Sequence, residues 1–393
     1  MNRLGGTKTH DLATDHTFRN AIIVALLTAV VATVVAVVGW NVFEFDRALF
    51  VYAQSLIVSL ALTAYRFTIW LHRPPTLVLY QRAITMLRNP KNVLALGKHL
   101  CARIVGYFAL NKFVWKRGLN RWAAHWPIMV GCVMAFAIVI PLIFGWVWFE
   151  TPADDFHSYE VMLFGQHIRT IPIDGIEAFV AFHGLVWASF PVIAGCSVAL
   201  WRRLRDRGDQ ATQTFGNDLM PLLILLSIAV TGLLMTISYS FLGGAFHSPL
   251  AKIHCVIVCG TLLWLPYSKL FHIPQRSLKL AHMVYEHESE PRGKASCLRC
   301  GEEFADQQQI DDLIEVQRRL GYRYELCEAE TLEQHRVPLL ASPAVPISGS
   351  HTAGQASSGT RSHYQNVCPR CRRATLVLSH GKRATAKRVL CQP

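Results

Sequence analysis

Two cysteine pairs near the C-terminus have the spacing of a metal site. Cys297 and Cys300 form one C-x-x-C motif, and Cys368 and Cys371 form a second. Two such motifs supply four thiolates, the ligand set of zinc ribbons, whereas a single iron ion or an iron–sulfur cluster also binds four cysteines. We expect these four residues to bind one Zn²⁺, with iron as the alternative metal.

The last apolar stretch of the chain contains two histidines, His254 and His272, that are 18 residues apart. At 3.6 residues per turn this spacing is five whole turns, so a continuous helix presents both side chains on one face. Their separation would be about 27 Å, close to the thickness of the hydrocarbon core. Such a helix could hold two haems stacked across a bilayer, each needing a second axial histidine from a neighbouring helix.

Two other histidines lie at matching depths. His125 lies close to the inner end of the third apolar stretch, and His183 lies in the outer half of the fourth. The depths pair His125 with His272 and His183 with His254. The alternative is that each is an ordinary interfacial residue, but ionisable groups inside membranes are costly and usually have a partner or a function.

The composition indicates which elements must hold these residues. Hydrophobic residues make up 52% of the 393 residues and charged residues only 17%, with a formal net charge of +13. Soluble domains average about 25% charged residues, so a long soluble enzyme is excluded. A basic excess with so few charges fits a membrane protein with cationic loops better than a nucleic-acid-binding protein.

Six apolar stretches are long enough to span a bilayer, for which about 20 residues suffice. They lie at approximately 21–43, 48–71, 122–149, 175–200, 219–242 and 249–271. The first has no small-residue cleavage site near its end, so we interpret it as an uncleaved helix and not as a signal peptide. Cysteines within these stretches, such as Cys132 and Cys259, are interpreted as small packing residues.

The loop charges predict the orientation. Residues 73–121 carry ten Lys or Arg and no acidic residue, whereas 150–174 carry one Arg and five acidic residues. The positive-inside rule therefore places 73–121, 201–218 and both termini in the cytoplasm. The mixed apolar and basic positions of 73–121 fit interfacial helices on lipid headgroups, or ordinary connecting helices.

The sequence thus predicts an all-α integral membrane protein of the cell (inner) membrane. Its fold is a six-helix transmembrane bundle that holds haem b, followed by a small cytoplasmic zinc-ribbon-like domain with four cysteines. The regions are a cytoplasmic segment (1–19), the first two spans (20–72), the basic loop (73–121), the haem-binding spans (122–275) and the cytoplasmic tail (276–393). Within the tail we expect a charge-rich helix at 306–320 and, because 337–363 has little to bury, disorder there.

Two segments resemble a known family. The segment from Trp122 to Cys132 and the segment 252–274 are similar to the haem b membrane subunit of respiratory nitrate reductase (the gamma subunit) and of heterodisulfide reductase. In that family an early helix bears an inner-level His, and the last helix bears two His 18 residues apart, the second after a run like Pro266–Lys269. The resemblance covers roughly 48–275.

One position departs from the family pattern. The nitrate reductase subunits have a second His ten residues after the first on the early helix, where this chain has Ala135. The resemblance therefore implies an inner haem between His125 and His272. For the outer haem, His254 needs His183 or, as an alternative, His247 as its second ligand. We expect two haems, with one haem as the alternative.

The resemblance also implies a function. A quinone, menaquinone or ubiquinone, would bind near the outer haem, where His247 and Lys252 could contact its carbonyl oxygen. Electrons would pass to or from a cytoplasmic iron–sulfur subunit of a nitrate reductase, a heterodisulfide-reductase-like protein or a hydrogenase. The chain alone would not be a complete enzyme, and it lacks both the G-x-G-x-x-G and the P-loop motifs.

The competing interpretation is a membrane anchor or transporter that recruits partners through its zinc ribbon. Transporters more often have paired carboxylates in mid-membrane, and their absence here favours electron transfer. Under either interpretation Lys252 could simply extend to the lipid headgroups.

Overall fold

A computed structural model describes residues 7–39, 47–88, 97, 101, 103–206, 213–322, 324 and 363–374. The chain divides into two compact units. Residues 1–73 and 91–280 form the first, here the membrane unit, and residues 74–90 and 281–393 form the second, here the tail unit. The predicted disordered stretch 337–363 lies outside the described residues, apart from His363.

The described residues are mostly helical. The α-helices are α1 (Thr7–Gly39), α2 (Arg47–Leu71), α3 (Pro74–Leu87), α4 (Lys112–Trp115), α5 (Leu119–Ile143), α6 (Ile176–Arg205), α7 (Met220–Phe241), α8 (His247–Trp264), α9 (His272–Gln275), α10 (Leu278–Ser289) and α11 (Gln307–Arg319). Six helical segments, which coincide with all or most of α1, α2, α5, α6, α7 and α8, are long and apolar enough to cross a membrane. The predicted number of spans is confirmed, and the chain has the architecture of a multi-pass membrane protein.

Five of the long helices pack in a ring within the membrane unit. Helix α2 contacts α5, α5 contacts α6, α6 contacts α7, α7 contacts α8, and α8 returns to α2, while α1 packs on α2. Helices α5 and α6 approach most closely through glycines. A Cβ atom at Gly131 would lie 2.5 Å from the Ala188 carbonyl oxygen, and one at Gly195 would lie 2.7 Å from that of Ala124. Such small-residue contacts are how membrane helices gain packing energy without a hydrophobic driving force.

The third span is shorter than predicted. Helix α5 ends at Ile143, and Gly145 then adopts a left-handed φ of +63°. The apolar residues that follow belong to a three-stranded antiparallel sheet of β1 (Val147–Glu150), β2 (Ser158–Leu163) and β3 (Gln166–Pro172). Phe164 and Gly165, both with positive φ, form the two-residue turn between β2 and β3, as the favoured hairpin turns require. The sequence analysis did not predict this sheet.

The sixth span is interrupted, contrary to the prediction of one helix to residue 271. Helix α8 ends at Trp264, and two 3₁₀ turns, Leu265–Tyr267 and Lys269–Phe271, follow on either side of the extended residue Ser268. Pro266 lies in the first turn and has no N–H to donate. The Ser268 hydroxyl oxygen accepts the N–H of Leu270 and starts the second turn. His254 and His272 therefore do not lie on one continuous helix, and their spacing of five whole turns does not place them on one face.

The tail unit combines the helix that follows α2 with the C-terminal region. It contains α3, the hairpin of β4 (Lys294–Ser296) and β5 (Glu303–Asp306), and α11, which confirms the predicted helix at 306–320. Helix α3 packs on α11. Arg82 of α3 donates to both carboxylate oxygens of Asp312, at 2.9 and 2.5 Å, and the Tyr285 hydroxyl donates to the same carboxylate. Of the two interpretations of the basic loop, this contact supports a connecting helix for α3.

Candidate functional site

The four predicted cysteine ligands lie together. The Sγ atoms of Cys297, Cys300, Cys368 and Cys371 are all within 4.8 Å of one another. The Sγ atoms of Cys300 and Cys368 are 3.8 Å apart. A tetrahedral Zn²⁺ with Zn–S bonds of about 2.3 Å has sulfur–sulfur edges of about 3.8 Å, so the cluster has the dimensions of a metal site.

The backbone of each motif holds its sulfur atoms in place. The N–H of Gly301, whose φ is +72°, donates to the Cys297 carbonyl oxygen and closes the first turn. The N–H of Leu298 donates to the carbonyl oxygen of Asn366, which ties the first motif to the second. The two motifs, 68 residues apart at Cys300 and Cys368, are thus joined by backbone hydrogen bonds as well as by their thiols.

The cluster is arranged to carry negative charge. Burial raises the pKa of the Cys297 thiol, but backbone N–H groups of Cys368, Cys300 and Arg299 donate to its sulfur and lower the pKa to about 6. Burial and the neighbouring thiols raise the pKa of Cys371 to about 12. A second thiolate beside the first is costly without a cation, so a bound metal ion is what would allow all four sulfurs to ionise.

The arginine that directly follows the second motif, Arg372, holds that motif in position. Arg372 donates to the Val367 carbonyl oxygen at 2.6 Å and to the Gln365 side-chain oxygen at 2.8 Å. Its guanidinium also lies 5.4 Å from the centre of the Tyr364 ring. These contacts hold the chain just before Cys368, whereas Arg370 and Arg373 are exposed.

The predicted haem ligand His254 points from α8 towards α7. Its Nδ1 lies 2.8 Å from the Thr231 hydroxyl oxygen, and its Cε1 would lie 3.6 Å from a Cβ atom at Gly232. The Thr231 hydroxyl donates its own proton to the Ser227 carbonyl at 2.7 Å. The contact with Thr231 engages Nδ1 of His254, so Nε2 is the ring nitrogen that remains available.

In two other predicted ligands a backbone carbonyl oxygen holds Nδ1. The Nδ1 of His183 is 2.9 Å from the Phe179 carbonyl oxygen, and the Nδ1 of His272 is 2.7 Å from that of Lys269. A carbonyl oxygen can only accept, so both rings carry their proton on Nδ1 and leave Nε2 as a potential metal ligand. Metal-binding histidines are usually oriented in this way by a hydrogen bond from the other nitrogen.

The structure brings the inner pair near each other. His125 lies within electrostatic range of His272 and of Arg276. The Nδ1 of His125 is buried and has no hydrogen-bond partner among the described residues. Arg276 donates to the Asn111 side-chain oxygen at 3.3 Å, and its guanidinium lies over the Phe113 ring.

The two histidines of the outer pair do not touch in the described structure. His183 and His254 each lie seven residues after the first residue of their helices, α6 and α8, or about 10 Å along the axis. Both helices enter from the side of the three-stranded sheet, and both pack on α7. Over the part of the chain that the structure describes, no direct contact joins the two rings.

Lys269, whose carbonyl oxygen accepts from the His272 ring, is itself held by an ion pair. The Lys269 ammonium lies 2.5 Å from the Asp218 carboxylate, and Lys269 also supplies the carbonyl oxygen for the His272 ring. Asp218 accepts further from the Thr214 N–H at 2.9 Å, and its backbone carbonyl accepts from Arg203 at 2.6 Å. Asp218 therefore ties the end of α6 and the start of the fifth span to the turn that holds His272. Sequence reasoning did not identify this link.

The two residues predicted to contact a quinone do not converge. His247 is the first residue of α8, and its ring packs edge-on at 6.5 Å from that of Tyr239. Its Nδ1 is buried without a hydrogen-bond partner in the described structure. Lys252 is exposed and lies about 140° away around the α8 axis.

Comparison with known proteins does not identify a relative of this chain. The chain matches no protein-family model, no curated protein and no solved structure.

Proposed function

We propose that the chain is the membrane cytochrome b subunit of a respiratory oxidoreductase complex. It would pass electrons between the quinone pool and a cytoplasmic iron–sulfur partner through two b haems. The proposal rests mainly on how the ring nitrogens of the histidines in the spans are hydrogen-bonded. In three of the four predicted ligands a hydrogen bond engages Nδ1 and leaves Nε2 available, and the fourth, His125, has a buried Nδ1 without a hydrogen-bond partner among the described residues.

The residues fit haem b as a ligand set. His125 and His272 would hold the inner haem, and His183 and His254 the outer one, with neutral imidazoles as haem axial ligation requires. Bound haem b would supply reversible one-electron transfer. Thr231, Phe179 and Lys269 fix three of the rings, and a ligand fixed before binding loses less entropy when the cofactor enters.

The quinone is assigned to the outer side, near His247. The Nδ1 of His247 is buried without a hydrogen-bond partner in the described structure, and the ring lies beside that of Tyr239, so this nitrogen is suited to donate to or accept from a quinone carbonyl or hydroxyl. Lys252 has no place in this site and is assigned to the lipid headgroups. The quinone would be menaquinone or ubiquinone.

The four-cysteine site is assigned a structural role as a zinc site. Its knuckles are held by backbone hydrogen bonds, and Cys297 and Cys368 are buried, as in closed structural sites. The tail would dock the cytoplasmic iron–sulfur subunit while electrons pass elsewhere. Elemental analysis tests this: iron beyond the haem stoichiometry, with no zinc, would make the tail a redox relay.

A reduced-minus-oxidised visible spectrum of the purified, detergent-solubilised protein tests the central proposal. Dithionite should produce a b-type α band, and the pyridine haemochrome assay should give two haems per chain. His125→Ala and His272→Ala should each remove the inner haem, and His183→Ala and His254→Ala the outer one. His167→Ala, an exposed histidine of β3, is the control. A colourless, folded protein would refute the proposal, and a His183→Ala variant with full haem content would remove His183 from the ligand set.

The transporter alternative finds no support in the described spans. These segments contain only two carboxylates, Glu177 and Asp218, and both lie at helix ends. Glu177 pairs with Arg169 at 2.8 Å and Asp218 with Lys269. Neither is a mid-membrane group free to bind and release a coupling ion, which is the usual mark of a transporter.

A further inference from the structure

A cavity of about 500 Å³ lies in the membrane unit, where the end of α2 meets the two 3₁₀ turns that follow α8. Six residues line it, and they combine two cations, an aromatic ring and three polar groups: Arg66, Ser268, Lys269, Phe271, His272 and Gln275. Its size is that of an ordinary small-ligand pocket.

The cavity lining carries one positive charge that no carboxylate balances. The Arg66 guanidinium lies 4.4 Å from the centre of the Phe271 ring and donates to the Pro266 carbonyl oxygen, and both partners are neutral. No carboxylate within the described ranges forms an ion pair with Arg66. Lys269, by contrast, is paired with Asp218 at 2.5 Å. A guanidinium close to the end of a membrane span can extend towards the headgroup region, where phosphates are the available anions.

The cavity lies close to one end of a candidate membrane span. Arg66 lies five residues before Leu71, the last residue of α2, or about 7.5 Å along the axis. This is the zone where phosphates and the first acyl carbons meet protein side chains. Two large apolar side chains beside the lining, Tyr267 and Ile273, are 64% and 53% exposed, so acyl chains would find an apolar surface next to the charged cavity.

We propose that this cavity binds the phosphate of an acidic phospholipid. A phosphodiester carries one negative charge, which matches the unbalanced charge of Arg66, and guanidinium binds phosphate oxygens in a bidentate manner. The Gln275 amide and the Lys269 ammonium add donors at the cavity wall. Basic pockets between membrane helices bind acidic lipid headgroups in this way. The inference does not depend on the proposed electron-transfer function.

Native mass spectrometry of the full chain in detergent tests the inference, with phosphatidylglycerol and phosphatidylcholine as probes. The wild type should bind phosphatidylglycerol in preference to phosphatidylcholine. Arg66→Gln should weaken phosphatidylglycerol binding about tenfold, since a charge-assisted phosphate contact is lost. Gln275→Glu should weaken it similarly while leaving the Arg66 contacts with Phe271 and Pro266 in place, which covers the case in which Arg66→Gln does not fold. Arg73→Gln, an exposed arginine just after α2, is the matched control for loss of charge.

Three results would overturn the inference. Equal binding of phosphatidylcholine would mean that the cavity does not select a net negative charge. Displacement of phosphatidylglycerol by millimolar inorganic phosphate would make the site one for a free anion. If Arg66→Gln keeps its lipid affinity but loses haem, the cavity belongs to a haem carboxylate and not to a lipid.

Discussion

Replacing Cys368 by Ser should unfold the four-cysteine region of the tail unit. Cys368 is 2% exposed, and its buried neighbours are few: Cys297 and Val367, with Phe304 and Cys371 partly buried against them. Among the described residues of this cluster, two apolar side chains, Val367 and Phe304, contribute about 3–6 kcal/mol on burial. A structural zinc ion in a small site contributes an apparent 10–16 kcal/mol at pH 7. The metal, and not the apolar core, should therefore account for most of the stability of this region.

Hydrogen exchange of the full chain in detergent, read by mass spectrometry, measures this. Wild-type protein with zinc should protect the amides of β4, β5 and residues 363–374, and Cys368→Ser or a chelator should remove that protection. The histidine-bearing spans should keep their protection in both cases. Cys101→Ser, which replaces an exposed cysteine outside the cluster, should behave as wild type. Retained protection after chelation, with zinc shown to be absent, would refute the reasoning, because the region would then fold on its apolar contacts alone.

Three further changes have defined outcomes. Arg82→Gln leaves the Asp312 carboxylate, which is 12% exposed, without its cation, so the contact between α3 and α11 should weaken by about 2 kcal/mol, measured as faster proteolysis within 74–88. Asp306→Asn removes the negative charge that faces Lys294 and replaces one of the two oxygens that accept from Lys294 and Ser289, whose hydrogen bonds hold the pKa of Asp306 below its usual value. The wild type should be more stable than this variant by about 1 kcal/mol above pH 5, and the difference in thermal midpoint should vanish as the pH falls through that lowered pKa. Asp218→Asn should lower the affinity for the inner haem about tenfold and change its midpoint potential, whereas Asp218→Glu should restore both and Asp155→Asn should change neither.

The six spans and the four-cysteine site were predictable because both depend on local sequence. A run of about 20 apolar residues and a C-x-x-C turn each specify their structure within a few residues. The confirmed proximity of Cys300 and Cys368 followed from ligand chemistry, since four thiolates at this spacing share one ion.

The sheet after α5 was missed because hydropathy does not distinguish a strand from the end of an apolar helix. The residues from Gly145 to Phe149 continue the apolar run of the third span, and only the glycine marks the turn. Pro266 was a readable signal for the break after α8, since proline interrupts the helical hydrogen bonds. The contact of Arg82 with Asp312, 230 residues away, had no local signal, so the place of α3 in the tail unit could not be predicted.

The break in the sixth span changes how the His272 ring is held, but the same ring nitrogen stays available. In the regular helix α6, His183 donates to the carbonyl of the residue four positions earlier, Phe179. His272 directly follows the second 3₁₀ turn, which has three residues per turn, and it donates to the residue three positions earlier, Lys269. His254 uses a hydroxyl group from another helix. Three backbone settings thus leave the same nitrogen, Nε2, free. The carbonyl oxygen that holds the His272 ring belongs to Lys269, and the Lys269 ammonium is fixed by Asp218. A tertiary ion pair therefore holds the interrupted segment, whereas α6 is held by its own backbone hydrogen bonds.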